Sequence, residues 1–254
     1  MKQSFSWWSF VGRGVEDKAL LQAAKAIGYS GVDLIDPANY DLAIDCGLSI
    51  AAINGHNSIS SGFNDESQHD RIEREIEANL AIATKYSIPN LIVFSGNRRA
   101  AESDEQGAQA TAAGVQRVIK AARDAKVTLV MELLNSKVDH SGYQCDRTKW
   151  LVDIVKQIGS PNFRVLYDIY HMQIMEGDLI RTIRENAEYI GHYHTAGNPG
   201  RNEIDDTQEI NYAAVFSAIA KTNYSGYIAH ELIPAGDSVN ALRGAFSLCE
   251  ISSR

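Results

Sequence analysis

A single-domain (β/α)₈ TIM barrel of class α/β, spanning residues 1–254, is the fold this sequence predicts, and three observations predict it. Eight short runs rich in β-branched or aromatic residues begin near Phe5, Val32, Ser49, Leu91, Val127, Phe163, Ile190 and Tyr227, separated by 27, 17, 42, 36, 36, 27 and 37 residues. The mean spacing, about 32 residues, is that of one strand, one helix and two loops, since strands take about 5 to 6 residues and helices about 11 to 12. No linker, low-complexity tract or shift of composition interrupts the series, and eight such units in one domain close into a barrel. A doubly wound open sheet is the alternative arrangement for the same series.

The intervening segments read as helices in order: Glu16 to Ile27, Asp65 to Tyr86, Asp104 to Ala125, Thr148 to Ile158, Leu179 to Asn186, Tyr212 to Thr222 and Ser238 to Ile251. In the second of these, Ile76, Leu80 and Ala83 recur at i, i+4 and i+7, one apolar stripe suited to packing on a sheet. Gly28, Gly47 and Gly159 stand where helix C-caps fall, each just before the next strand. The unit after Val32 is the shortest, and Pro37 to Gly47 leaves room only for a short helix.

Composition narrows the function classes. Of 254 residues, 44% are apolar and 22% charged, an ordinary balance for a chain with a sizeable core rather than a fibre or a disordered tail. Lys plus Arg number 24 against 32 Asp plus Glu, and the net charge of −8 repels nucleic acid on average. Cys46, Cys145 and Cys249 form no CxxC pair and are odd in number, which suggests neither a disulfide framework nor a thiolate metal site. The opening FSWWSF is too short for a signal-peptide core, and no apolar run approaches the roughly 18 residues of a membrane span, so a cytoplasmic protein is expected. Self-association into a homo-oligomer is left open.

Catalytic groups of a parallel barrel project from the C-terminal ends of its strands, where the loops build the site. The fifth strand, VTLVMELLN, ends with Glu132; the sixth, FRVLYDIYH, ends with Asp168 and His171; the seventh presents His192 and His194; the eighth, GYIAHELIP, presents Glu231 beside His230. A carboxylate buried in an apolar strand costs several kcal/mol unless it is paired or binds a cation. Any one of these residues alone is as readily a helix cap or a core histidine. Glu132, Asp168, His194 and Glu231 at one depth on four neighbouring strands are better explained by a shared cation. Three carboxylates and one imidazole suit Mn²⁺ or Mg²⁺, with Co²⁺ or Zn²⁺ as alternatives, and leave positions for substrate oxygens.

The segments MELLNS, YDIYHMQ, GHYHTAGNPGR, QEINY and AHELIP resemble the hydroxypyruvate isomerases of the xylose isomerase-like superfamily of metal-dependent barrels. The resemblance is strong from about Val127 to Pro234 and diffuse before it; YDIYHMQ followed by NPGR and EINY is specific as a set. It implies metal binding by Glu132, Asp168, His194 and Glu231, proton transfer by Glu132 and Glu231, and His171 and Arg201 on substrate oxygens. The sequence departs from the family at Leu133, commonly Pro there, and at His194, often Gln there and more usually His in the related ketose 3-epimerases.

The expected activity is isomerisation between an α-hydroxy aldehyde and an α-hydroxy ketone, with hydroxypyruvate and tartronate semialdehyde as the pair the resemblance implies. The metal would hold the two adjacent oxygens and stabilise a cis-enediolate, while one carboxylate removes the carbon-bound proton and the other returns it. A ketose 3-epimerase uses the same intermediate, and His194 favours it, whereas NPGR with EINY favours the isomerase. A metal-dependent endonuclease of the related barrel would need a basic groove, which the charge of −8 opposes. A non-catalytic metal or sugar-binding module is the remaining class.

Lesser candidates surround these. Arg201, in the turn-rich loop after Pro199 and Gly200, has the planar fork to clamp a carboxylate. His192 reads as a core histidine or as a partner of a ligand, and His56 as a solvated loop residue near the site. Of Trp7 and Trp8, one indole is expected inside the barrel and one outside. Arg98, Arg99 and the acidic stretch from Glu203 to Glu209 read as solvated loops.

Overall fold

The computed structural model, which describes residues 1–253, places eight strands in a closed barrel in sequence order. The strands are β1 (Lys2–Ser6), β2 (Gly31–Asp33), β3 (Ser49–Asn54), β4 (Asn90–Val93), β5 (Thr128–Glu132), β6 (Phe163–Asp168), β7 (Ile190–Thr195) and β8 (Tyr227–His230). The helices are α1 (Trp7–Phe10), α2 (Asp17–Ile27), α3 (Tyr40–Asp45), α4 (His69–Tyr86), α5 (Asp104–Asp124), α6 (Thr148–Ile158), α7 (Ile169–Met175), α8 (Leu179–Asn186), α9 (Tyr212–Ala220) and α10 (Ser238–Ser252).

Contacts group the chain into two compact units. The first comprises Met1–Ala51, Asp178–Ala187 and the stretch from His192 onward. Within it β1 runs parallel to β2, with Ser6 opposite Asp33, and parallel to β8, with Phe5 opposite His230. Strands β7 and β8 pair with His194 opposite Ala229 and Thr195 opposite His230. Phe5 meets the rings of Phe10 and Tyr29 edge-on at 5.6 Å, and Tyr29 reaches His230 at 5.9 Å. Helix α2 buries Leu20, Leu21 and Ala24 and stops at Gly28, whose φ of 126° closes the helix where an L-residue would be strained.

The second unit comprises Ala52–Gly177 and Glu188–Gly191. Here β3, β4, β5 and β6 pair parallel in turn, with Ile53 opposite Leu91, Leu91 opposite Leu129 and Glu132 opposite Leu166. All four residues of β4 are buried, as a strand covered on both faces requires. Helix α4 buries Ile72, Ile76, Leu80 and Ala83, and each large side chain so buried contributes about 1.5 to 3 kcal/mol. Helix α5 opens with a capping box, the Ser103 hydroxyl accepting from the Gln106 backbone N–H while the Gln106 side-chain Oε1 accepts from the Ser103 N–H.

Three elements differ most from the sequence expectation. The helix expected from Asp65 begins at His69, after a 3-10 turn over Glu66–Gln68. The run beginning at Phe5 keeps a strand only to Ser6, and Trp7 to Phe10 turn into α1. The run FRVLYDIYH ends as a strand at Asp168, because that carboxylate accepts the backbone N–H of His171 at 2.9 Å and starts α7. His171 therefore stands in the first turn of a helix rather than at a strand end.

Candidate metal and carboxylate site

Glu132, Asp168, His194 and Glu231 are each buried and each offer one ligand atom, all within 4.8 Å of one another. Local structure fixes each of them. Glu132 is the last residue of β5, and its carbonyl accepts the Tyr143 hydroxyl at 3.0 Å. Asp168 is the last residue of β6 and caps α7, so the helix-capping alternative and the cluster are both true of it. His194 lies in β7 with no exposed surface. Glu231 follows β8, its backbone N–H donating to the Thr195 carbonyl at 2.8 Å, which sets it beside the end of β7.

The two edges of the His194 ring face different partners. Nδ1 lies 3.3 Å from Oε2 of Glu231, and Nε2 lies 3.8 Å from Oδ2 of Asp33. Asp33, the last residue of β2, binds Nε2 of His192 at 2.7 Å, and both residues are fully buried. Burial pushes the Asp33 carboxyl up, but His192 and His194 outweigh it and lower it to about 2. Burial likewise works against the Glu231 carboxylate, and His194, Arg201 and Trp8 hold it well below the usual carboxylate range. Asp33, His192 and His194 form a second buried group of donor residues. Asp33 was not singled out by the sequence, although a carboxylate ending an apolar strand is the signal that marks Glu132.

Around Glu231 the loops converge. Arg201 donates from Nη2 to Oε2 of Glu231, and its guanidinium lies 5.3 Å from the centre of the Trp8 ring. The Trp8 indole donates to Oε1 of Glu231 at 2.8 Å. Trp7 is buried and donates to Asp36 at 3.2 Å, whereas Trp8 is 42% exposed, so it is the more exposed indole that bonds Glu231. His171 is buried, with Nδ1 2.6 Å from the Asn135 amide nitrogen and Nε2 3.8 Å from Oδ2 of Asp168. Asn135 also donates to Asp139 at 2.6 Å, and Asp139 accepts the Tyr170 hydroxyl at 2.8 Å.

Several lesser candidates take other roles. His56 is fully buried rather than solvated, because Nε2 accepts the Phe94 N–H at 3.0 Å between the edges of Phe63 and Phe94. Arg98 pairs with Asp146 at 2.8 Å and Asp104 at 3.2 Å, and Arg99 with Glu102 at 2.9 Å and Asp65 at 3.3 Å. These pairs anchor the loop after β4 and are not simply solvated charges. Glu203 accepts the Ala235 N–H at 3.0 Å, and Glu209 accepts from the Asn198 amide. A groove of about 440 Å³ with an acidic lining runs along Glu203, Asp205, Asp206 and α10.

The donor set passes the chemical test for a divalent cation. Buried carboxylates within 4.8 Å of one another repel strongly unless a positive charge lies among them, and three oxygens with one imidazole nitrogen match the preferences of Mn²⁺ or Mg²⁺. No helix of the described residues is long and apolar enough to cross a membrane.

Comparison with known proteins agrees with this architecture. The chain is 36% identical to hydroxypyruvate isomerase of Escherichia coli strain K12 over 117 residues, which is 46% of this chain and 45% of that protein. The match thus spans less than half the length of that relative. It is 26% identical to 2-oxo-tetronate isomerase of Pectobacterium atrosepticum over 87% of this chain and 88% of that one. Among solved structures, an AP endonuclease, family 2, from Brucella melitensis shares the fold with a TM-score of 0.84 at 21% identity, over 95% of this chain and 97% of that chain. The xylose isomerase-like TIM barrel family matches residues 21–246, and the chain belongs to that family.

Proposed function

We propose that the protein is a divalent-metal-dependent isomerase of small 2-oxo or hydroxy-carbonyl acids, interconverting an α-hydroxy aldehyde and an α-hydroxy ketone of the hydroxypyruvate type. The observation that carries this reading is the buried cluster of Glu132, Asp168, His194 and Glu231. The two isomerases to which the chain is similar, both named for such acids, support it. Glu132, Asp168, His194 and Glu231 hold the metal, Mn²⁺ or Mg²⁺ in preference to Co²⁺ or Zn²⁺. When bound, the metal supplies Lewis acidity toward adjacent substrate oxygens.

The chain's own residues do the rest. Glu132 and Glu231 are the proton-transfer pair: one carboxylate takes the carbon-bound proton, leaving an enediolate, and passes it to the former carbonyl oxygen, while the other carries the hydroxyl proton to the neighbouring carbon. Arg201 supplies the guanidinium that an acid substrate needs, and His171, held by Asn135, directs an imidazole edge to a substrate oxygen. Burial of the four donors excludes water from the proton path.

The second reading is a ketose 3-epimerase, which His194 favours; Arg201 beside Glu231 favours the acid. A coupled assay of the Mn²⁺-loaded protein on hydroxypyruvate, longer 2-oxo acids and a panel of neutral ketoses separates them. Turnover of the acids is expected. Turnover confined to neutral ketoses would replace the isomerase by the epimerase, and none on any substrate would leave a binding module.

A further inference from the structure

We infer that Trp8 and Arg201 form a latch on Glu231 that an anionic substrate opens, so that Trp8 is a positioning residue and the pair selects acids over neutral sugars. This rests on the acid-isomerase reading above. Two donors meet at one carboxylate and also touch each other: the Trp8 indole N–H on Oε1 at 2.8 Å, the Arg201 guanidinium on Oε2, and that guanidinium 5.3 Å from the Trp8 ring centre.

The chemistry of the three groups differs in a way that makes the arrangement reversible. An indole N–H donates only, and from one fixed direction, so it holds Glu231 in orientation whatever Arg201 does. A guanidinium over an aromatic face keeps its attraction while it moves across the ring. Arg201 can therefore exchange the Glu231 carboxylate for a substrate carboxylate and stay paired itself. Glu231 then loses Arg201 from Oε2 but keeps Trp8 on Oε1 and the His194 ring 3.3 Å from Oε2. A neutral sugar offers the guanidinium no anion, so the exchange is unfavourable for it. Trp8 is 42% exposed although its N–H is engaged, whereas the Arg201 side chain is only 15% exposed. The open face of the latch is thus the indole.

Intrinsic fluorescence in the presence of Mg²⁺ tests the latch, with D-glycerate as the anionic probe and glycerol as its neutral counterpart. Glycerate is expected to change the emission of the wild type saturably, glycerol is not, and the glycerate signal is expected to vanish in Trp8→Phe. Glycerate affinity should fall roughly 10- to 150-fold in Arg201→Met, the loss of one charge-assisted pair. On hydroxypyruvate, Arg201→Met should act mainly on KM. Trp8→Phe, which keeps the ring but loses the N–H, should lower kcat roughly 10-fold with KM little changed. The latch is overturned if glycerate shows no saturable binding, if glycerol matches it, if the signal survives in Trp8→Phe, or if both variants keep wild-type kinetic constants. Glycerate binding with all these signatures but no turnover of any hydroxy acid would keep the latch and remove the isomerase reading.

Discussion

Glu132 and Glu231 are buried carboxyl side chains, 5% and 3% exposed, in a cluster of four donor residues whose one imidazole is that of His194. An amide in either place keeps the shape but cannot accept a proton. Glu132→Gln and Glu231→Gln are each expected to lower turnover by roughly 10² to 10⁴-fold or more, with solvent deuterium entering the wild-type product at the carbon-bound position. Product free of solvent label would point instead to a hydride shift. Asp33 governs stability in the same region. Asp33→Asn weakens the bond to His192, at about 1.5 to 3 kcal/mol for a hydrogen bond to a charged group, measured by urea denaturation at neutral pH. The Asp33 carboxyl is lowered to about 2 from 3.8, so its stabilisation is present above the unfolded value and is lost as pH falls through the folded one. Four donors were legible in the sequence because carboxylates and histidine are rare at the ends of apolar strands. Asp33 carries the same mark but sits in the shortest unit. The contact of Trp8 with Glu231 joins residues 223 apart, and nothing local announces it.

Among the elements, the expected helices were legible to within about four residues at either end, and two of them to the residue. Thr148–Ile158 and Leu179–Asn186 stand as the sequence predicts, and Gly159 ends the first of them with φ 65°. Helix α7 escaped because Ile169 and Tyr170 have strand-forming side chains, and only the capping bond from Asp168 to the His171 N–H decides for the helix. The end of β3 illustrates how burial overrides a loop expectation. His56 is lowered from 6.5 to about 4 by burial first and by Arg71 second, and its Nε2 is committed as an acceptor to Phe94. Below the ordinary histidine value the unfolded chain takes up a proton that the folded one refuses. Stability is therefore expected to fall as pH drops from 6.5 toward 4 and to level off below that, the full difference being about 3 kcal/mol. His56→Gln keeps an acceptor for the Phe94 N–H but has no titration. Its urea midpoint should lose that part of the acid dependence, and an unchanged slope would mean that His56 is not its source.

At the scale of the whole molecule, the even succession of strand and helix signals made the barrel legible, since a period near one βα unit leaves few other ways to bury eight apolar strands. The same regularity brings four anionic or neutral donors to within 4.8 Å, and that has a thermodynamic consequence for the entire fold. Each buried carboxylate repels its neighbours in the folded state and is relieved by water in the unfolded one, so the metal-free protein carries a penalty that a bound cation removes. A ligand that binds only the folded state stabilises it by about 2.7 kcal/mol at a hundredfold excess over its dissociation constant. For a chain of this length each kcal/mol moves the midpoint by roughly 2 to 4 °C. Saturating Mn²⁺ is therefore expected to raise Tm by about 5 to 10 °C above that of the chelator-treated protein. Asp168→Ala removes one of the four donors together with one of the repelling charges, so it should lose most of the metal-dependent rise while its metal-free Tm falls little. An equal rise in wild type and Asp168→Ala would place the cation elsewhere. No rise with Mn²⁺, Mg²⁺, Co²⁺ or Zn²⁺ would mean that the four side chains relieve their repulsion by taking up protons, and with that the case for metal-assisted isomerisation would fall.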